Sequence, residues 1–186
     1  MAVTSPRLGS LSLSPTGAQL WANHDRKALS PLFSEVRESR TTPPTCDVLL
    51  IYGEIDEKGR FQNAKSGLRE IIRDSGAKIV VVASENPAKH CIAAGKRTGY
   101  GLANLVMTLD RKGDALPAFL VPLFTIMQRG VPMPKAWSTL APQSKGTPHA
   151  GLPDTIFACE LGDILFAAAP RAISAPPPPR RSPRRP

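Results

Sequence analysis

Aromatic residues are scarce in this chain, at 5% of 186 positions, and histidine and cysteine occur only three times each. The first shortage predicts an aliphatic core, which a hydrophobic content of 41% is enough to build. The second removes several chemistries. Cys46, Cys91 and Cys159 cannot all pair with one another and form no C-x-x-C, so a disulfide framework is not expected. Together with His24, His90 and His149 they show no zinc-ligand spacing. Two of the cysteines fall in or beside predicted strands, where a thiol acts as a small hydrophobe, and the expected compartment is reducing and cytoplasmic. Long apolar runs are lacking too. The most apolar window, Leu116 to Met127, is too short to span a bilayer and contains Pro117 and Pro122. The first residues hold one arginine and no continuous apolar segment, so neither a signal peptide nor a membrane partner is expected.

Complete catalytic and cofactor motifs are also missing. There is no G-x-S-x-G elbow, and the adjacent His90 and Cys91 would diverge on a helix. Gly95-Lys96-Arg97-Thr98 fails as a phosphate-binding loop, because His90 stands where the pattern needs its first glycine and a strand, not a helix, is predicted to follow. A weaker arrangement survives, in which Lys96 and Arg97 close over an anionic ligand with the help of Gly99 and Gly101. No cofactor is assigned.

Positive charge and proline are abundant, but unevenly spread. Arg171, Arg180, Arg181, Arg184 and Arg185 stand without an acid among them and supply more than half of the net charge of +9. Many of the twenty prolines also lie outside the central stretch, as in Pro176-Pro177-Pro178-Pro179. Residues 169–186 therefore read as a disordered Pro/Arg-rich tail. Pro176, Pro179 and Arg181 fit a PxxP-basic ligand of a polyproline groove. The arginines also allow contact with nucleic acid, although no aromatic interleaves them for base stacking. Residues 1–15, rich in Ser, Pro and Gly, are expected to be a disordered arm. The remainder, 16–168, is expected to form a single α/β domain.

Within it, Asp47 to Ser84 organises the rest. Asp47–Tyr52 and Lys78–Ser84 are short, mostly apolar runs, and a helix ending at Gly76 joins them, with Phe61, Ala64, Leu68, Ile71 and Ile72 along one face. This is the signature of a βαβ unit with buried parallel strands. Ala103–Leu109 is the third strand, and Ala115–Arg129, capped by Asp114, the helix after it. Ser30-Pro31 predicts a helix start, with Leu29, Leu32, Phe33 and Val36 as its stripe. Ala136–Leu140 reads as a short edge strand, and Thr155–Cys159 with Ile164–Ala167 as a C-terminal β-hairpin. The expected architecture is a small, mainly parallel three-layer sheet of flavodoxin-like order 2-1-3, with Asp47–Tyr52 between the other two strands.

In such a sheet, ligands collect beyond the carboxyl ends of the strands. Those ends carry Glu54, Asp56, Glu85 and Asp110, with Asn86, Arg111 and the nearby Lys96. The four carboxylates are the candidate catalytic groups, able in principle to hold Mg²⁺ through oxygen or to divide acid and base roles. Asn86, Arg111 and Lys96 are the candidate ligand contacts. The competing reading makes the strand-end residues turn and capping groups. Trp137 either lines a pocket or packs over the sheet edge.

The helix, Gly-Ala turn and apolar strand of Leu68 to Ser84 resemble the closing part of caspase-like CHAT domains, and equally many flavodoxin-like units. CHAT domains carry a catalytic Cys and His at the strand ends, and neither stands there here. The resemblance therefore implies fold alone. The expected function is a non-enzymatic binding or regulatory module of unknown ligand or protein partner. The alternative is a small Mg²⁺-dependent hydrolase or nucleotide-processing enzyme using the strand-end carboxylates.

Overall fold

A computed structural model describes residues 1–14, 18–98, 101–111, 113–141 and 154–167. Eight strands and five helices follow one another in those residues: β1 (Ala2–Thr4), β2 (Arg7–Ser12), α1 (Ala18–Leu29), β3 (Glu35–Ser39), β4 (Val48–Tyr52), α2 (Leu68–Ser75), β5 (Ile79–Val82), α3 (Ala88–Thr98), β6 (Asn104–Asp110), α4 (Ala115–Gln128), α5 (Met133–Leu140), β7 (Asp154–Cys159) and β8 (Leu165–Ala167). The main sheet runs β3-β2-β4-β5-β6-β7, parallel throughout except for β7. The fold is α/β with a mostly parallel sheet between two helical layers.

Alternation of the strand side chains divides the core in two. Leu8, Val48, Leu50, Tyr52, Val81 and Val106 face α1, α4 and α5. Leu11, Leu49, Ile51, Val80, Val82 and Leu105 face α2 and α3. β4 and β5 are buried along their whole length, as strands covered on both faces must be, which is why they read as unbroken apolar runs. Gly76 ends α2 in the left-handed conformation at φ 68° and donates to Ile72 O.

Several expectations give way. The first residues, expected to be disordered, supply β1 and the sheet strand β2, with Leu8 and Leu11 in the core. Small Gly9 and Ser10 sit between those leucines and Ser12 follows them, so the run lacks the β-branched signal of a strand. Ser30–Leu32 is one 3-10 turn ending the α1 region, and Val36 lies in β3, paired with Leu8. Glu35, Arg37 and Glu38 belong to that edge strand, where charge discourages pairing with another chain. Ala136–Leu140 belongs to a helix, α5, with proline in its first turn where a missing N–H costs nothing. Phe61 lies outside α2, in a bridge between Ile55 and Phe61. The two C-terminal strands both form, but they pair elsewhere: β7 closes the edge beside β6, and β8 pairs in parallel with β1.

Because β2 precedes β4, the reversal of strand order sits one strand earlier than expected. Counted in chain order, the five parallel strands run 2-1-3-4-5 across the sheet, so the flavodoxin-like order is present. Its switch point, however, lies between β2 and β4, and Val48–Tyr52 is not flanked by the two strands that follow it. From β3 to β4 the chain crosses β2 without a helix, over residues 40–47. That crossing needs Gly9: a Cβ there would stand 2.6 Å from Cys46 Sγ and 3.0 Å from Pro44 Cγ. Among the described residues, no helix is long and apolar enough to cross a membrane. The Pro142–Pro153 loop and the 169–186 tail lie outside the described residues.

Candidate functional site

Ser12, Tyr52, Val82 and Asp110 end four of the parallel strands. Around β4, β5 and β6 the polar groups of this edge are largely engaged with one another. Arg111, just past β6, is only 2% exposed, and Asp25 of α1 is fully buried. The guanidinium donates from Nη1 to Asp25 Oδ2 at 2.9 Å and from Nη2 to Oδ1 at 2.8 Å, a bidentate fork. Nη1 also donates to Ala83 O at 2.8 Å, and Tyr52 Oη donates to Asp25 Oδ2 at 2.8 Å. Burial, then the neighbouring Asp25 carboxylate, push the Tyr52 phenol well above its ordinary range. The indole of Trp21 covers the assembly, with its ring centroid 4.5 Å from the guanidinium carbon. One acid, one cation, one phenol and one indole thus tie α1 to β4, β5 and β6.

The acidic loop after β4 is held in a similar way. Asn86 accepts from Ile55 N at 2.7 Å and donates to Ser84 O and Gly53 O. Gly53 N donates to Ser84 Oγ at 2.9 Å, and His90 Nδ1 meets Ile55 O at 2.7 Å. Since that carbonyl only accepts, the Nδ1 carries the proton. Asp56 Oδ1 accepts from Lys58 N and Arg60 N, and those bonds hold its carboxyl below the usual range.

The candidate carboxylates are therefore spread out. Glu54 is exposed and Asp56 turns back on its own loop. Glu85 accepts from Arg111 N at 3.2 Å, and Asp110 lies opposite Asp154 across the β6–β7 ladder. Among the described residues, no group of three or more His, Cys, Asp or Glu is placed to hold a metal ion. Of the candidate contacts, Asn86 and Arg111 are buried in internal bonds, and Lys96 is exposed in the last turn of α3. Burial pushes the Cys46 thiol up to about 12 and that of Cys91 to about 11, so both are protonated at neutral pH. Trp137 stacks on Phe157 at 4.5 Å and meets Phe119 edge-on, packing α5 onto the sheet.

The open surfaces lie elsewhere. At the switch point, a depression of about 290 Å³ is lined by Ser12, Leu13, Ser14, Gln19, Arg40 and Asn63. Ser12 Oγ is buried there without a hydrogen-bond partner among the described residues. A larger cavity, about 480 Å³, lies between the loop that precedes α2, the first turn of that helix and Arg97 in the last turn of α3. Sequence reasoning missed the first because β2 was not recognised, and of the second it picked out only Arg97, which it paired with Lys96 over an anionic ligand. Asp25 did leave a sign: it falls at the helical spacing of Ala22 and Leu29, an acid on the buried stripe of α1.

Comparison with protein-family models, with curated proteins and with solved structures returns no match.

Proposed function

We propose that this protein is a non-enzymatic binding module, and that the open concave surfaces of its α/β scaffold receive the ligand. The observation that carries this reading is the arrangement of the strand-end polar groups. Arg111, Asp25, Asn86 and Ser84 are engaged in internal hydrogen bonds, a pattern that makes a rigid platform. The carboxylates expected to do chemistry do not gather into a three-ligand group among the described residues. The cytoplasmic location belongs to the same proposal, supported by the three free thiols. The nucleic-acid contact expected of the arginine tail falls outside the described residues and adds nothing to it.

Calorimetric titration with Mg²⁺ and Mn²⁺, on the wild type and on Asp110→Ala, tests the reading against the hydrolase alternative. The expected result is no saturable heat in either protein and no release of phosphate from nucleoside triphosphates. Saturable metal binding that disappears in Asp110→Ala, together with such hydrolysis, would overturn it.

A further inference from the structure

The cavity beside α2 carries an unusual charge. Arg60, Lys65, Arg69 and Arg97 all line it, against a single acid, Glu70. None of the four cations belongs to an ion pair found among the described residues. Glu70 offsets this excess of positive charge only in part. Gly59 fixes where the loop bearing Arg60 stands. At φ 72° it lies so close to α3 that a Cβ would stand 2.5 Å from Ala94 N. The loop is thereby pressed onto α3, and Arg60 reaches the cavity that Arg97 lines one helical turn beyond Ala94. At the start of α2 the Glu70 carboxylate folds back toward Gly67, where a Cβ would stand 2.9 Å from Glu70 Oε2, so the positive end of the helix already faces one acid. Ser66 adds a hydroxyl to the same wall.

Building on the binding-module reading, we infer that this cavity is the binding site for an organic diphosphate, with the diphosphate group held by Arg60, Arg69 and Arg97. Arginine forks match phosphate oxygens in bidentate fashion. The cation excess suits a ligand of several negative charges better than a single carboxylate. At about 480 Å³ the cavity falls within the size range of small-molecule sites, so there is room for an organic group beside the two phosphates.

Inorganic pyrophosphate is the probe. It is titrated calorimetrically into the full chain at low and at near-physiological salt. The variants are Arg60→Gln/Arg97→Gln, Glu70→Gln, and a tail variant with Arg180, Arg181, Arg184 and Arg185 all changed to Gln. Arg60 and Arg97 make no ion pair among the described residues, and thermal melts check that each variant folds. The wild type is expected to bind one equivalent. The double cavity variant should lose at least about tenfold in affinity. Glu70→Gln should gain a few-fold, and the tail variant should stay within about twofold. The assignment fails if the wild type does not bind, if the cavity variant binds as the wild type does, or if the tail variant loses the affinity instead. Phosphorus NMR on the same mixtures separates this outcome from the wider reading. Conversion of pyrophosphate to orthophosphate would leave the cavity assigned but overturn the non-enzymatic function.

Discussion

Replacing Asp25 by Asn should be among the most damaging single changes available in this protein. Asp25 is fully buried and accepts three hydrogen bonds, two from Arg111 and one from Tyr52. An amide in its place keeps one acceptor but turns a donor toward the guanidinium in either orientation, and toward the phenol as well when it stands at the Oδ2 position. More costly still, it leaves the cation of Arg111, 2% exposed, without its counter-ion. Breaking a buried pair from one side costs about 3–5 kcal/mol, a large share of the roughly 5–15 kcal/mol that holds a typical domain together. With a urea m-value of about 2 kcal/mol/M, the midpoint followed by circular dichroism should fall by about 2 M. The reasoning also predicts a rescue. In a chain carrying Asp25→Leu, Tyr52→Phe and Arg111→Met, no buried charge is left and the phenol hydroxyl that would lose its acceptor is gone. Such replacements of buried ion pairs are often neutral, so most of the stability should return. Ala83 O, which accepts from Arg111, then lacks that donor and keeps the rescue from being complete. A loss below about 1 kcal/mol in Asp25→Asn, or a triple variant no more stable than the single one, would refute this account of the carboxyl edge.

Two further predictions concern the loops. Gly9→Ala should destabilise by about 1–3 kcal/mol, the usual cost of overpacking, because its Cβ would press on Cys46 Sγ and Pro44 Cγ. Measured on a Cys46→Ala background, the same change should cost less; an equal cost in both backgrounds would show that the thiol is not the obstacle. Asp56 sets the pH response of the acidic loop. Its hydrogen bonds to Lys58 N and Arg60 N hold its folded pKa below the ordinary value, so its contribution is fully present above about pH 4 and is lost as pH falls through the lowered folded value. Amide shifts of Lys58 and Arg60 should titrate with a midpoint below about 3.9, and Asp56→Ala should abolish that transition; a midpoint at or above the ordinary value would contradict the assignment.

What could be read from the sequence followed the strength of local signals. β4, β5 and the Gly76 stop were legible because a strand covered on both faces needs consecutive large aliphatics, and a left-handed cap needs glycine. β2 was not, because its residues serve their neighbours. Gly9 makes room for the crossing chain, while Ser10 and Ser12 stand in the layer that Asp25 and Tyr52 share. Leu29, Leu32, Phe33 and Val36 show a helical period, yet all of them meet the same core layer from a helix, a turn and a strand in succession. Periodicity reports which side chains are buried, not that one helix buries them. The strand-end carboxylates were placed on the right edge of the sheet. Sequence could not show that Glu85 bonds the Arg111 amide or that Asp56 bonds its own loop, since both depend on where separate segments end in space.

Those same details explain why the two halves of the carboxyl edge differ. Over β4, β5 and β6, α1 brings Asp25 down onto Arg111, and the ion pair seals the strand ends beneath Trp21. At β2 no such seal forms. The connection from β3 returns as a loop over Gly9 rather than as a helix, so Arg40 in that connection and Asn63 in the loop after β4 stand at the mouth of the switch-point depression. A helix in that connection would have to bury an apolar face on β2, and with glycine at position 9 there is no side chain on that part of the strand for it to cover. Gly9 thus accounts for the short crossing, while at the other end of β2 Ser12 and Leu13, themselves largely buried, line the switch-point depression beside the half of the edge that the buried ion pair closes.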